Sequence, residues 1–254
     1  MTTAATLALP AARVLPSKLF HLHSATLAIL LTLIGFHHFF FAGMSYPGRP
    51  ITPPIRGLVI AHGVTMAAWL VVAFAQPLLI RLGHRGAHKA LGRVGALLAC
   101  TVVVIGVWIA AASARVTPPE ARIWGLSPKE FMVVPFFAAI AFASFVGIGL
   151  WFVRKPAVHR PMMTLATYAA LSASVSRIDA ISSLYAGTLF DRLLGPFFST
   201  QVLCLVLVAV QTAMTRSLDR WFAGGVVAMT VFYMLVMRVA TTDAWMSFAS
   251  LVAG

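Results

Sequence analysis

Residues 57–80 read GLVIAHGVTMAAWLVVAFAQPLLI, residues 81–89 read RLGHRGAHK, and residues 91–114 read LGRVGALLACTVVVIGVWIAAASA. The first stretch carries no Asp, Glu, Lys or Arg, and the third carries only Arg93, near its start. A helix needs roughly 20 predominantly apolar residues to cross about 30 Å of hydrocarbon, and both stretches are long enough. Between them Arg81, Arg85 and Lys89 crowd into a short loop, as expected where a chain turns at a membrane surface. Backbone groups in lipid must be satisfied within their own segment, so each stretch reads as a helix. The alternating segments of about 10 residues that mark a barrel are missing.

Working outward, the same pattern repeats. Further apolar runs lie at 20–43, 131–153, 161–185, 196–214 and 221–240. The breaks are SYPGRPITPPIRG (45–57), VTPPEARIWGLSPKE (116–130), RKPAVHRP (154–161) and TRSLDR (215–220), each rich in Pro, Gly or charge. Residues 184–195 admit a loop or a short interfacial helix. The expectation is an all-α polytopic transmembrane bundle of about seven spans, one domain over 20–254 after a cytoplasmic N-terminal segment, 1–19. Arg13 and Lys18 precede the first span, which reads as a retained helix and not a cleaved signal.

Composition agrees. Of 254 residues, 60% are hydrophobic and 10% charged, against about 25% charged in soluble domains. The net charge of +13 sits in short loops with no aromatic-basic nucleic-acid motif, so the expected partner is the lipid bilayer and not nucleic acid. With the N-terminus inside, Arg13, Lys18, Arg81, Arg85, Lys89, Arg93, Arg154, Lys155, Arg160, Arg216 and Arg220 share the inner side. Arg49, Arg56, Arg115, Arg122, Lys129, Arg192 and Arg238 share the outer side. This bias sets the orientation, with the N-terminus on the cytoplasmic side of the cell's inner (plasma) membrane. Seven spans then place the tail TTDAWMSFASLVAG at the outer interface, where Trp245 suits the headgroup region. Cys100 and Cys204 lie in apolar runs and read as packing residues.

Ionisable groups inside spans are costly and are default functional candidates. The fifth run contains LSASVSRIDAISS, in which Ser172, Ser176, Asp179 and Ser183 follow helical spacing on one face. At about 1.5 Å per residue, Arg177 lies roughly 24 Å from the inner surface. Arg238, His37, His38 and His62 fall at a similar level on other helices. Paired imidazoles can take the axial positions of a b-type haem, and arginines can neutralise its propionates. His37 or His38 with His62, plus Arg177 and Arg238, meets that description. Other metals at His38 and His62, a proton relay, or a structural network with Asp179 and the serines use the same groups. On the inner side His88 and His159 form a second candidate pair, among histidines whose ordinary role in basic loops is to meet water or lipid phosphate.

The run His62-Gly63, Trp69, Gln76 and HKALGR from His88, followed by VHRPMMTLATYAALSASVSRI with His159 and Arg177, resembles an uncharacterised bacterial family of predicted multi-helix membrane proteins. Thr242 to Trp245 resembles that family's Thr-x-x-Trp tail, and the likeness covers roughly residues 35–250. Pro161 and Met162 depart from the family's loop pattern. The resemblance implies a helical membrane topology and highlights His62, His88, His159 and Arg177. A looser likeness of pattern exists to di-haem cytochromes of the ferric-reductase type. P-loop, GxSxG, GxGxxG and HExxH motifs are absent. Three functions fit: a redox or haem-binding protein, a non-enzymatic accessory or assembly subunit of a membrane complex, and a small-molecule transporter. The last is disfavoured by the lack of an inverted repeat and of evidently broken helices.

Overall fold

A computed structural model describes residues 17–46 and 49–254. Residues 1–16, which include Arg13 and most of the N-terminal segment, and residues 47–48 lie outside the described residues.

The architecture is all-α with one small hairpin. Helix α1 (Ser17–Gly35) continues into α2 (His37–Ala42). The hairpin β1 (Met44–Tyr46) and β2 (Arg49–Pro50) leads to α3 (Arg56–Arg81) and α4 (Arg85–Val116). Then come α5 (Pro128–Phe131), α6 (Val133–Trp151), α7 (Pro156–Val175), α8 (Asp179–Ser182) and α9 (Leu189–Leu194). A 3-10 turn enters α10 (Phe198–Thr215), followed by α11 (Arg220–Val239) and α12 (Asp243–Ala253).

Among the described residues, five helical segments are long and apolar enough to cross a membrane: Arg56–Arg81, Arg85–Val116, Pro128–Trp151, Leu189–Thr215 and Arg220–Val239. Large side chains on their outer faces, such as Val64, Val71, Leu97, Val104 and Trp108, are exposed. Those faces suit lipid as solvent.

Helix α7 is less apolar because its environment is protein. It is packed by α1, α3, α6, α10 and α11, and most of its length is buried. The Tyr168 hydroxyl donates to the Ser24 carbonyl of α1 at 2.9 Å, and that of Tyr233 on α11 donates to the Ala169 carbonyl at 3.3 Å. Tyr233 also stacks flat on Phe197, with ring centroids 3.8 Å apart. Glycines set the closest approaches. A Cβ on Gly35 would lie 2.0 Å from the Ser174 carbonyl oxygen, and one on Gly225 would lie 2.2 Å from Leu165 Cδ1.

Two helices depart from the sequence reading. The first run kinks at Phe36, where the ring Nδ1 of His37 donates to the Ile34 carbonyl at 2.7 Å. The fifth run does not continue to residue 185: α7 stops at Val175. The Ser176 hydroxyl donates to the Ala173 carbonyl at 3.4 Å, and the Arg177 guanidinium donates to the same carbonyl at 2.8 Å. Local bonds of this kind compete with the helical ladder, and a cation suits the negative end of a helix. Asp179 then starts the separate turn α8, so Ser172, Ser176, Asp179 and Ser183 do not share one helical face. The expectation of unbroken helices is corrected at both places.

The tail is also corrected. It forms α12, capped by the Thr242 hydroxyl, which accepts from the Trp245 backbone N–H. Trp245 is buried, and its indole N–H donates to the Lys129 carbonyl at 3.0 Å. It therefore closes the seam between α5 and α12, with its side chain covered by protein. Within 184–195 the helical alternative holds, as α9.

Candidate functional site

The kink at Phe36 and the end of α7 meet at one level of the bundle, because Gly35 packs directly on the backbone of Ser174. Arg177 lies over the Phe36 ring, 4.6 Å from its centroid, which ties the two interruptions together. Beside this junction is a pocket between α1, α2, α3 and α7 with a cavity volume of about 100 Å³.

Three helical faces line it. From the first run come Thr32, Phe36, Phe39 and Phe40; from α3 come Val59, His62, Gly63, Met66, Ala67, Trp69 and Leu70; from α7 come Thr167, Ala170, Leu171, Ala173 and Ser174. The steps Thr32–Phe36–Phe39, His62–Met66–Trp69 and Thr167–Leu171–Ser174 follow the turn of an α-helix, so each helix presents one side. Gly63 lets the Phe39 ring lie against α3: a Cβ there would sit 2.5 Å from Phe39 Cζ.

Most polar groups in the lining are paired. The Trp69 indole N–H donates to Thr167 Oγ1 at 3.3 Å, and Thr167 donates in turn to the Met163 carbonyl at 3.2 Å. The hydroxyls of Thr32 and Ser174 bond to each other at 3.3 Å. His62 differs. Its Nδ1 is buried and has no hydrogen-bond partner among the described residues. A buried polar atom of this kind costs about 1–3 kcal/mol and calls for a functional explanation.

Of the residues selected from sequence, His62 lines the pocket and Arg177 borders it through Phe36. His37 is exposed, and the His38 ring lies on it with centroids 3.8 Å apart; neither lines the pocket. Arg238, Asp179 and Ser183 are exposed. Ser172 and Ser176 are buried in the α7 packing, outside the pocket lining. Equal depth therefore does not bring these groups together, because depth leaves the direction around each helix open. The aromatic members Phe36, Phe39 and Trp69 were missed as site residues, although their spacing relative to Thr32 and His62 is the legible signal.

At the opposite end the histidines tie helix ends together. His159 Nδ1 donates to the Gly149 carbonyl at 2.8 Å, joining α7 to α6. His21 Nδ1 meets Thr164 Oγ1 at 3.0 Å, joining α1 to α7. The Gln76 amide, with its nitrogen turned to His88, donates to the His88 carbonyl at 3.2 Å, while its oxygen accepts from Gly92 N–H at 2.9 Å. His88 Nδ1 donates to the Gln76 backbone carbonyl at 3.4 Å, tying α4 to α3. Among the described residues no group of three or more His, Cys, Asp or Glu side chains is arranged to hold a metal ion.

Comparison with family models, curated proteins and solved structures finds no match to this chain.

Proposed function

We propose that the chain is an integral membrane protein of seven spans that binds a small membrane-phase molecule in the pocket beside His62. The observation that carries this reading is the buried, unpartnered Nδ1 of His62, a residue of a mostly apolar, aromatic lining. Ligand sites are commonly apolar cavities with a few placed polar groups. A comparable engineered cavity of about 150 Å³ lined by apolar side chains takes up benzene. The volume here suits a single ring and not a haem macrocycle, so the site's residues do not fit that group. His62 is also the only imidazole in the lining. A Soret band from purified protein would restore the haem reading, with ligands sought elsewhere.

Toluene is the simplest probe of the pocket. It is expected to raise the thermal unfolding midpoint of the wild type in nanodiscs saturably. Ala67→Phe, which fills the cavity, is expected to abolish the rise. Equal shifts in both proteins would count against the pocket.

The proposed topology puts the N-terminus on the cytoplasmic side of the inner membrane, consistent with the Lys and Arg bias. In a Cys100→Ser, Cys204→Ala background, single cysteines at Glu120 and Ser217 test it. An impermeant maleimide is expected to label Glu120→Cys in spheroplasts and Ser217→Cys only in inverted vesicles. The reverse pattern would invert the orientation.

A further inference from the structure

We infer that the molecule bound beside His62 is a planar ring bearing carbonyl oxygens, of the quinone class. The inference rests on the pocket reading above and adds the chemistry of the occupant.

Three features select this class. The first is shape: Phe36, Phe39 and Trp69 supply aromatic surfaces to a cavity of about 100 Å³, which matches one flat ring. The second is hydrogen bonding at two positions. His62 Nδ1 is buried and unpartnered, and as the N–H tautomer it donates to a carbonyl. The Thr32–Ser174 pair uses one hydroxyl proton in its mutual bond, which leaves the second for another acceptor. These donors come from three different helices that line the pocket, α3, α1 and α7. A ring with an oxygen at each end answers both. The third is charge. The Arg177 guanidinium lies over the Phe36 ring at the pocket's edge, and a cation there disfavours a cationic head group. A plain hydrocarbon would leave His62 unsatisfied.

The apolar flank also fits a ligand that arrives through lipid. Leu33, Phe40, Phe41, Ile60 and Val64 around the first run and α3 are exposed. An alkyl tail attached to the ring would lie along this face.

The test uses the full-length protein in nanodiscs, with para-benzoquinone carrying a decyl chain as probe and decylbenzene as its carbonyl-free counterpart. Quinones quench nearby indoles, and Trp69 lies in the lining. The wild type is expected to show saturable quenching, most of it lost in Trp69→Phe. His62→Leu is expected to weaken the quinone about tenfold, the loss typical of one buried hydrogen bond, while decylbenzene competes equally in both proteins. His62→Gln, which keeps a donor, is expected to hold the quinone within about threefold of wild type, and unfolding midpoints confirm that each variant is folded. If His62→Leu binds quinone as the wild type does, and decylbenzene competes as tightly as quinone, the carbonyl inference is overturned while the pocket stands. If neither compound binds and toluene fails to stabilise the wild type, both fall.

Discussion

Gly35→Ala is expected to be among the most damaging single substitutions in the chain. Its new Cβ would need to occupy space 2.0 Å from the Ser174 carbonyl oxygen, where no side-chain rotation relieves the clash. Separating α1 from α7 opens the packing around Tyr168 and the Thr32–Ser174 bond. Overpacking a tight core costs about 1–3 kcal/mol, and a backbone obstacle places this case at or above the upper end. Gly224→Ala supplies the contrast. A Cβ there meets nothing within 4 Å, and alanine in a helix is favoured over glycine by about 0.5–1 kcal/mol. Unfolding in mixed micelles is expected to show Gly35→Ala sharply destabilised and Gly224→Ala unchanged or slightly more stable. Similar midpoints for the two would mean that α1 and α7 do not approach so closely.

Trp69→Ala is the second large effect. Trp69 is 2% exposed, packs edge-on against Phe142 with centroids 4.8 Å apart, and donates to Thr167. Removing a buried Trp side chain costs about 3–5 kcal/mol. Trp69→Phe keeps a ring against Phe142 and gives up the indole bond, for about 1 kcal/mol. The expected stability order is wild type, then Trp69→Phe, then Trp69→Ala well below. Toluene is expected to recover part of the alanine deficit, because it refills the enlarged cavity. A Trp69→Ala protein as stable as wild type would show that this indole is not a core anchor.

Much of the helical fold is legible in the sequence, because apolar length and basic loops are strong signals. The run read at 57–80 matches α3 to within one residue at each end, whereas α4 starts at Arg85, six residues before the run read at 91–114, so Arg85 and Lys89 are helical and only residues 82–84 connect the two helices. The sequence does not mark where the fifth run stops, since the serines before Arg177 look equally like helix-packing residues and like helix-ending ones. In the folded protein the Arg177 guanidinium turns back to the Ala173 carbonyl at the end of the helix, a contact that sequence spacing does not show. The site was legible in part for the same reason. His62 stands out as a polar residue in an apolar run. Arg238, His37 and Asp179 share its approximate level but point away, and no linear spacing compares directions between different helices. Tryptophan's preference for headgroups points to an interfacial anchor at Trp245; its burial depends on α5, a short helix distant in sequence whose Lys129 carbonyl accepts a hydrogen bond from the indole.

Photolabelling with trifluoromethyl-phenyl-diazirine, a one-ring membrane-soluble probe, addresses the pocket most directly. In nanodiscs, cross-links mapped by peptide mass spectrometry are expected to concentrate on Phe36–Phe40 and Val59–Leu70 and to fade when excess toluene competes. Labelling spread over lipid-facing positions such as Val104 and Trp108, and indifferent to toluene, would contradict an occupied cavity beside His62.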